Sequence, residues 1–240
     1  MSFNFDNRHI IVTGGAGTLG TTVVQLLIDS GARCSVPCYS EAEQQSFGLN
    51  DHPDVFSKAG IDLTNEEQTQ AFYDEAIKAQ GPLWASINVA GGFGMGKIED
   101  TRLEQFEGQL KLNTVTCYNA CRTAVHWMRK SKYQGGRIVN IAARPALEPR
   151  QGKGMTAYTV SKAGVAALTE SLAAEIVSDS ILVNAIAPSI IDTPQNRESM
   201  PDADYDRWPK PEQLARQIAY LISEENEVTR GGIIPVYGQS

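Results

Sequence analysis

The chain is short of several things, and each scarcity removes a class of function. Its 240 residues hold 21 Lys and Arg against 28 Asp and Glu, for a formal net charge of -7. So little positive charge argues against a broad face for nucleic acid or anionic lipid and leaves room only for a local phosphate pocket. No apolar run approaches the ~18 residues of a membrane span, and "MSFNFDNRHI" lacks a basic stretch followed by an apolar one. We therefore expect a soluble, cytoplasmic protein with no membrane or nucleic-acid partner. Cysteines number four, Cys34 with Cys38 and Cys117 with Cys121. On a strand the first pair lies roughly 13 Å apart, too far to share an ion. The second pair shares a helix face, but no histidine or carboxylate cluster accompanies it. We expect ordinary buried thiols, no metal, and a reducing compartment.

What is present is a chain 42% hydrophobic, able to bury a full core and free of linker-like or low-complexity tracts. The expectation is one domain over residues 1–240. Short apolar runs alternate with helix-period segments. "HIIVTG" reads as a strand, 18–30 as a helix ending at Gly31, "RCSVPC" as a strand and about 41–49 as a helix. A strand before Asp62, a helix from Glu66 to Ala79 and the strand "LWASINVAG" follow. A helical stretch from about Leu103 to Arg129, strand "RIVNIA", a helix from Thr156 to Val177, strand "ILVNAIAP", a helix from Pro211 to Ser223 and "GGIIPVYG" complete the pattern. Strands apolar on both faces, alternating with helices, predict an α/β fold: a Rossmann-type, doubly wound parallel sheet flanked by helices. Ligands of such a sheet bind at the carboxyl ends of its strands.

"TGGAGTLG", residues 13–20, follows the first strand and opens the first helix. Gly15, Gly17 and Gly20 make G-x-G-x-x-G, while Gly14, Gly17 and Gly20 make T-G-x-x-G-x-x-G. Glycines here permit a tight turn and let backbone amides at a helix N-terminus approach a pyrophosphate. An NAD-type site places an acid at the end of the second strand. That end reads "VPCYSEAE", with Cys38, Tyr39 and Ser40 where an acid is expected and no arginine for a 2′-phosphate. The balance tips slightly to NADP(H) over NAD(H).

Tyr158 and Lys162 stand at i and i+4 on one helix face. Bringing a tyrosine to titrate at neutral pH takes about 4 kcal/mol, which a nearby ammonium supplies by favouring the phenolate. The strand before this helix ends in Ala142 and Ala143, where such a tyrosine usually has a hydroxyl partner.

Together these motifs resemble the short-chain dehydrogenase/reductase family along essentially the whole chain. The glycine loop, with Thr18 and Leu19 beside its glycines, resembles the family's pyrophosphate site, and Tyr39 and Ser40 fall at its ribose. "IDLT", with Asp62 and Leu63, resembles the adenine contact, and "NVAG", with Asn88, Ala90 and Gly91, the segment beside the cofactor. "APSIIDT", with Pro188, Ile191 and Thr193, is similar to the segment holding the nicotinamide carboxamide, Ser189 replacing a glycine. Asn113 in "LKLNTV" matches the asparagine supporting a water relay behind the lysine. The resemblance implies Tyr158, Lys162 and Asn113 as catalytic residues, and a homodimer or homotetramer joined through the helices at 103–129 and 156–177.

Ala143 aligns with the family's catalytic serine. Losing one preorganised donor to a developing oxyanion costs on the order of 10²- to 10³-fold. The alanine, "VAGGFGMG" at 89–96 and "DTPQNRESMPDADYDRW" at 192–208 are similar to a dihydropteridine reductase-like branch of the family, which departs from this chain in having an aspartate at Cys38. That branch implies hydride transfer to an activated electrophile such as a quinonoid dihydropterin, with Tyr158 as proton donor. The alternatives are a general carbonyl or quinone reductase or alcohol dehydrogenase, and a catalytically silent NAD(P)-binding regulator. A segment at about 189–210 is expected to cover a small-molecule substrate, with Ala143, Arg144, Arg197 and Trp208 facing it.

Overall fold

The computed structural model describes residues 3–240. Its elements run β1 (His9–Thr13), α1 (Thr18–Asp29), β2 (Arg33–Pro37), α2 (Glu41–Ser46), β3 (Val55–Lys58), α3 (Glu66–Gln80) and β4 (Leu83–Asn88). There follow α4 (Leu103–Gln109), α5 (Thr116–Arg129), β5 (Gly136–Ile141), the single turn α6 (Arg144–Leu147), α7 (Thr156–Glu175), β6 (Ile181–Pro188), α8 (Pro194–Ser199), α9 (Pro211–Ile222) and β7 (Ile233–Val236). The strands form one seven-stranded sheet in the order β3-β2-β1-β4-β5-β6-β7, every pairing parallel. This is the doubly wound architecture expected from the alternation.

The pleat sends neighbouring residues of β1 to opposite faces. Ile10 and Val12 pack with Val23 and Leu27 of α1 and Leu214 and Ile218 of α9. Ile11 joins the other layer, with Phe72 of α3, Ala124 of α5 and Val165 of α7. A strand buried on both sides cannot alternate polar with apolar, which is why "HIIVT" is buried throughout.

The helical stretch from Leu103 to Arg129 is not one regular helix. A π-helical segment at Leu110–Val115 separates α4 from α5, and it contains Asn113. All four cysteines are buried and free. Among the described residues no group of histidines, cysteines and acids is placed to hold a metal, and no helix is long and apolar enough to cross a membrane.

Candidate active site

The order reverses at β1, which pairs with β2 on one side and β4 on the other, so a crevice opens beyond its carboxyl end. The loop there is shaped by its own backbone. Gly14 has φ +64°, and a Cβ on it would stand 2.7 Å from the Ala90 nitrogen. A Cβ on Gly20 would lie 2.1 Å from the Gly14 carbonyl oxygen, so only glycine lets α1 start so close to the turn. Gly17 differs: a Cβ there would meet nothing nearer than the Gly14 oxygen at 3.4 Å. Its missing side chain leaves the mouth of α1 open. That helix has no side-chain cap and no acid in its first turn, so its leading amides, including those of Thr18 and Leu19, are offered outward. An uncapped helix N-terminus with open approach fits a pyrophosphate.

β4 is stitched to this turn. The Val89 amide donates to the Thr13 carbonyl at 3.1 Å and the Ala90 amide to Thr13 Oγ1 at 3.2 Å. Asn88, expected beside the cofactor, turns its side chain inward, donating to Asn140 Oδ1 at 2.7 Å and accepting from Ser86 Oγ. At the end of β2, Cys38 is buried and Tyr39 is 71% exposed. The Ser40 hydroxyl caps α2 by accepting from the Glu43 amide, while the Glu43 carboxylate turns back to accept from the Tyr39 amide at 2.6 Å. An acid therefore does stand at this end, supplied from four residues on. Asp62 accepts from the Thr64 amide and hydroxyl, and Leu63 is buried with its carbonyl held by Asn119. On the far side Pro188 ends β6, the Ile191 carbonyl accepts from Asn196, and the Thr193 hydroxyl caps α8.

The catalytic candidates converge between these edges. α7 carries Lys162 to the end of β5, where its ammonium donates to the Ile141 carbonyl at 2.8 Å. The position expected for a serine is instead the buried methyl of Ala143, at the entry to α6. A Cβ on Gly91 would sit 3.4 Å from Lys162 Nζ and 2.5 Å from Asn113 Oδ1. Asn113 grips the same loop, accepting from the Gly92 amide and donating to the Gly92 carbonyl, both at 3.0 Å, with Ser161 Oγ at 3.1 Å. That tertiary grip accounts for the π-helical segment, since one extra residue per turn lets Asn113 reach both partners.

Lys162 was expected to lower the Tyr158 pKa. Instead burial pushes the phenol up to about 12, and burial also draws Lys162 down to about 8. Desolvation disfavours both charged forms, and the ammonium's hydrogen bond goes to a carbonyl.

The larger side chains expected to face substrate are engaged with neighbours within the protein. Arg144 donates to Glu148 and to the Ser240 carbonyl and stacks over Tyr237 at 4.8 Å. Arg197 makes two bonds to Asp192, at 2.6 and 2.8 Å, and lies over Tyr205. Its guanidinium holds the Asp192 carboxyl below its usual pKa. Trp208 is buried against Tyr205. A guanidinium already paired with a carboxylate gains little from a second anion, and the Arg197–Asp192 and Tyr205–Trp208 contacts brace the 189–210 segment from within. The aromatic that meets the Tyr158 ring is Phe93, edge to face at 5.0 Å, a residue within "VAGGFGMG" that the sequence pattern alone does not single out.

The family model described as short chain dehydrogenase matches residues 8–204. A 3-oxoacyl-[acyl-carrier-protein] reductase of Thermotoga maritima is 26% identical over 97% of both chains. A galactitol 2-dehydrogenase of Rhizobium johnstonii is 31% identical, with 98% of this chain and 95% of that one covered. The crystal structure of gox2181 superposes with a TM-score of 0.89 at 29% identity, covering 98% of this chain and 96% of its own.

Proposed function

The chain belongs to the short chain dehydrogenase family and is an NAD(P)-dependent oxidoreductase, and from that premise we propose that it reduces an activated electrophile such as a quinonoid dihydropterin, with Tyr158 as proton donor. When bound, the nicotinamide cofactor supplies the hydride. Gly14, Gly15, Gly17 and Gly20 would receive its pyrophosphate at the mouth of α1, with Asp62 and Thr193 toward its two ends. Tyr158, kept neutral by burial, gives its proton to the substrate atom that gains negative charge. Lys162 then stabilises the phenolate left behind, and Asn113 holds the 91–92 loop over the lysine.

The observation that carries the choice of electrophile is Ala143. A methyl stands where a hydroxyl would steady an oxyanion, while the tyrosine, lysine and asparagine are retained. A conjugated imine or quinone delocalises incoming charge and needs that hydroxyl least. The relatives above carry names of different substrates and lend the dihydropterin no support of their own, so a broader carbonyl or quinone reductase is the second reading. Rapid-mixing oxidation of NADH and NADPH with a quinonoid dihydropterin, a 1,2-dicarbonyl, a quinone and an unactivated ketone separates them. Activated electrophiles should exceed the plain ketone by on the order of 100-fold in kcat/KM, the cost of one absent oxyanion donor. Equal turnover of the plain ketone overturns the reading.

The proposed cofactor preference rests on Glu43. The absence of an acid at Cys38, Tyr39 and Ser40 favoured NADP(H), but a carboxylate fixed on the Tyr39 amide opposes a 2′-phosphate, and residues 37–44 contain no cation. This moves the proposed preference toward NAD(H). Glu43→Gln should raise the ratio of NADPH to NADH kcat/KM about fivefold, the weight of an exposed charge contact of roughly 1 kcal/mol. An unchanged ratio rejects the assignment. Assembly as a dimer or tetramer is proposed through the groove between α5 and α7, where Tyr118 is half exposed.

A further inference from the structure

Residues 92–96 read Gly-Phe-Gly-Met-Gly, and the alternation sorts by side. A Cβ on Gly92 would stand 2.5 Å from Leu112 Cδ2, one on Gly94 2.7 Å from Gln109 Nε2, and one on Gly96 2.6 Å from Thr101 Oγ1. All three glycines lie face down on the protein, as the period of two requires of an extended strip. Phe93 and Met95, between them, are 63% and 72% exposed.

The strip is pinned at both ends. Asn113 holds Gly92 through both backbone groups. The Gly96 amide donates to the Gly154 carbonyl at 2.8 Å, and Gly96 pairs as a parallel bridge with Met155. Phe93 presents its ring to Tyr158 at an interplanar angle of 76°. The Met95 methyl reaches to 3.7 Å from where a Cβ of Gly154 would stand, so both side chains flank the segment that leads into Tyr158. Holding two large apolar side chains in water forgoes the burial that would stabilise them. A rigid apolar strip that touches the reacting tyrosine is a surface kept for a ligand.

We propose that Phe93 and Met95 are specificity-determining residues: they form an apolar wall on the Tyr158 side of the site and select a flat conjugated substrate over a small aliphatic one bearing the same reacting group. The inference rests on the reductase reading of Tyr158 and adds the residues that choose the substrate. The occupant is the substrate, because the strip is continuous with the proton donor. Aromatic faces and edges gain from contact with a flat ring at centroid distances of about 4.5–7 Å, and an aliphatic diketone has no such face.

The test uses two electrophiles with the same 1,2-dicarbonyl group, phenanthrenequinone and butane-2,3-dione. In Phe93→Ala/Met95→Ala the ratio of their kcat/KM values should fall at least about tenfold, and Phe93→Trp should recover most of it. A parallel titration follows binding of 9-phenanthrol, a flat ligand that accepts no hydride, to protein saturated with NAD⁺. Its Kd should rise at least about tenfold in the double variant, while Tm and the NAD⁺ Kd report whether the fold and cofactor site are intact. If the wild type turns over neither dicarbonyl but binds 9-phenanthrol in a Phe93-dependent way, the reductase reading falls and the recognition wall stands. A ratio and a phenanthrol Kd that both stay within about twofold of wild type overturn the wall.

Discussion

Tyr158→Phe is expected to lower kcat for the reduction by 10²- to 10⁴-fold, the usual weight of a positioned general acid. The substitution removes one hydroxyl and little else. Phe keeps the ring, so the edge-to-face contact with Phe93 at 5.0 Å survives, and α7 keeps its packing on β6. Cofactor affinity should therefore hold, and the loss should fall on kcat. The direction of the pKa shifts sets the pH profile. With the phenol pushed up to about 12, the donor is protonated throughout the neutral range, and the tyrosine gives reduction no acid-side or neutral inflection. Lys162, drawn down to about 8, is charged below that pH and neutral above it. The charge that stabilises the departing phenolate is thus lost as pH rises, and reductive kcat/KM should fall on the alkaline side with a midpoint near 8. Oxidation of an alcohol needs the phenolate first, so it should be slow at neutral pH and climb with pH. Steady-state rates of the variant within about threefold of wild type would remove Tyr158 from the role of donor.

Much of this arrangement was legible in the sequence because it depends on local pattern. "HIIVT" had to be a doubly buried strand, and "TGGAGTLG" had to turn tightly into a helix, whatever lay elsewhere. Tyr158 and Lys162 share a helix face by arithmetic alone. What escaped depends on chain segments that meet only in three dimensions. The π-helical segment at Leu110–Val115 exists because Gly92 and Ser161 draw Asn113 between them, and one extra residue barely disturbs a 3.6-residue period over 103–129. The segment at 189–210 looked like a set of substrate contacts, yet the Asp192 amide donates to the Pro209 carbonyl at 2.9 Å and closes the segment on itself. Arg197 and Trp208 make their contacts within it. Two signals were present and local: Ser40-x-x-Glu43 is the spacing by which a carboxylate folds back over a helix start, and Gly-x-Gly-x-Gly at 92–96 has the period of an extended strip.

Lys162→Met should remove activity and raise stability together. Lys162 is 6% exposed, and its pKa lies at about 8 against an ordinary 10.5. At 1.36 kcal/mol for each tenfold change in proton affinity, keeping this ammonium charged inside the fold costs roughly 3 kcal/mol at neutral pH. Met fills the same channel with an unbranched apolar chain and carries no such cost, but the Ile141 carbonyl loses its 2.8 Å donor, a loss of about 1 kcal/mol. The net expectation is a gain of roughly 2 kcal/mol at pH 7, or several degrees in Tm. The sign follows from linkage: between about 8 and 10.5 the unfolded chain binds a proton that the folded chain does not, so wild-type stability rises with pH across that window. The variant has no lysine to titrate there, and its curve should lack the rise, so the two stabilities converge by about pH 10. Denaturant unfolding at pH 7 and pH 10 reads both the gain and the convergence. A variant less stable than wild type at pH 7 would mean that the bond to Ile141 outweighs the desolvation of the charge. A gain in stability with turnover lost is what a buried charge kept for catalysis predicts, since Lys162 then holds a charge the fold would be better without.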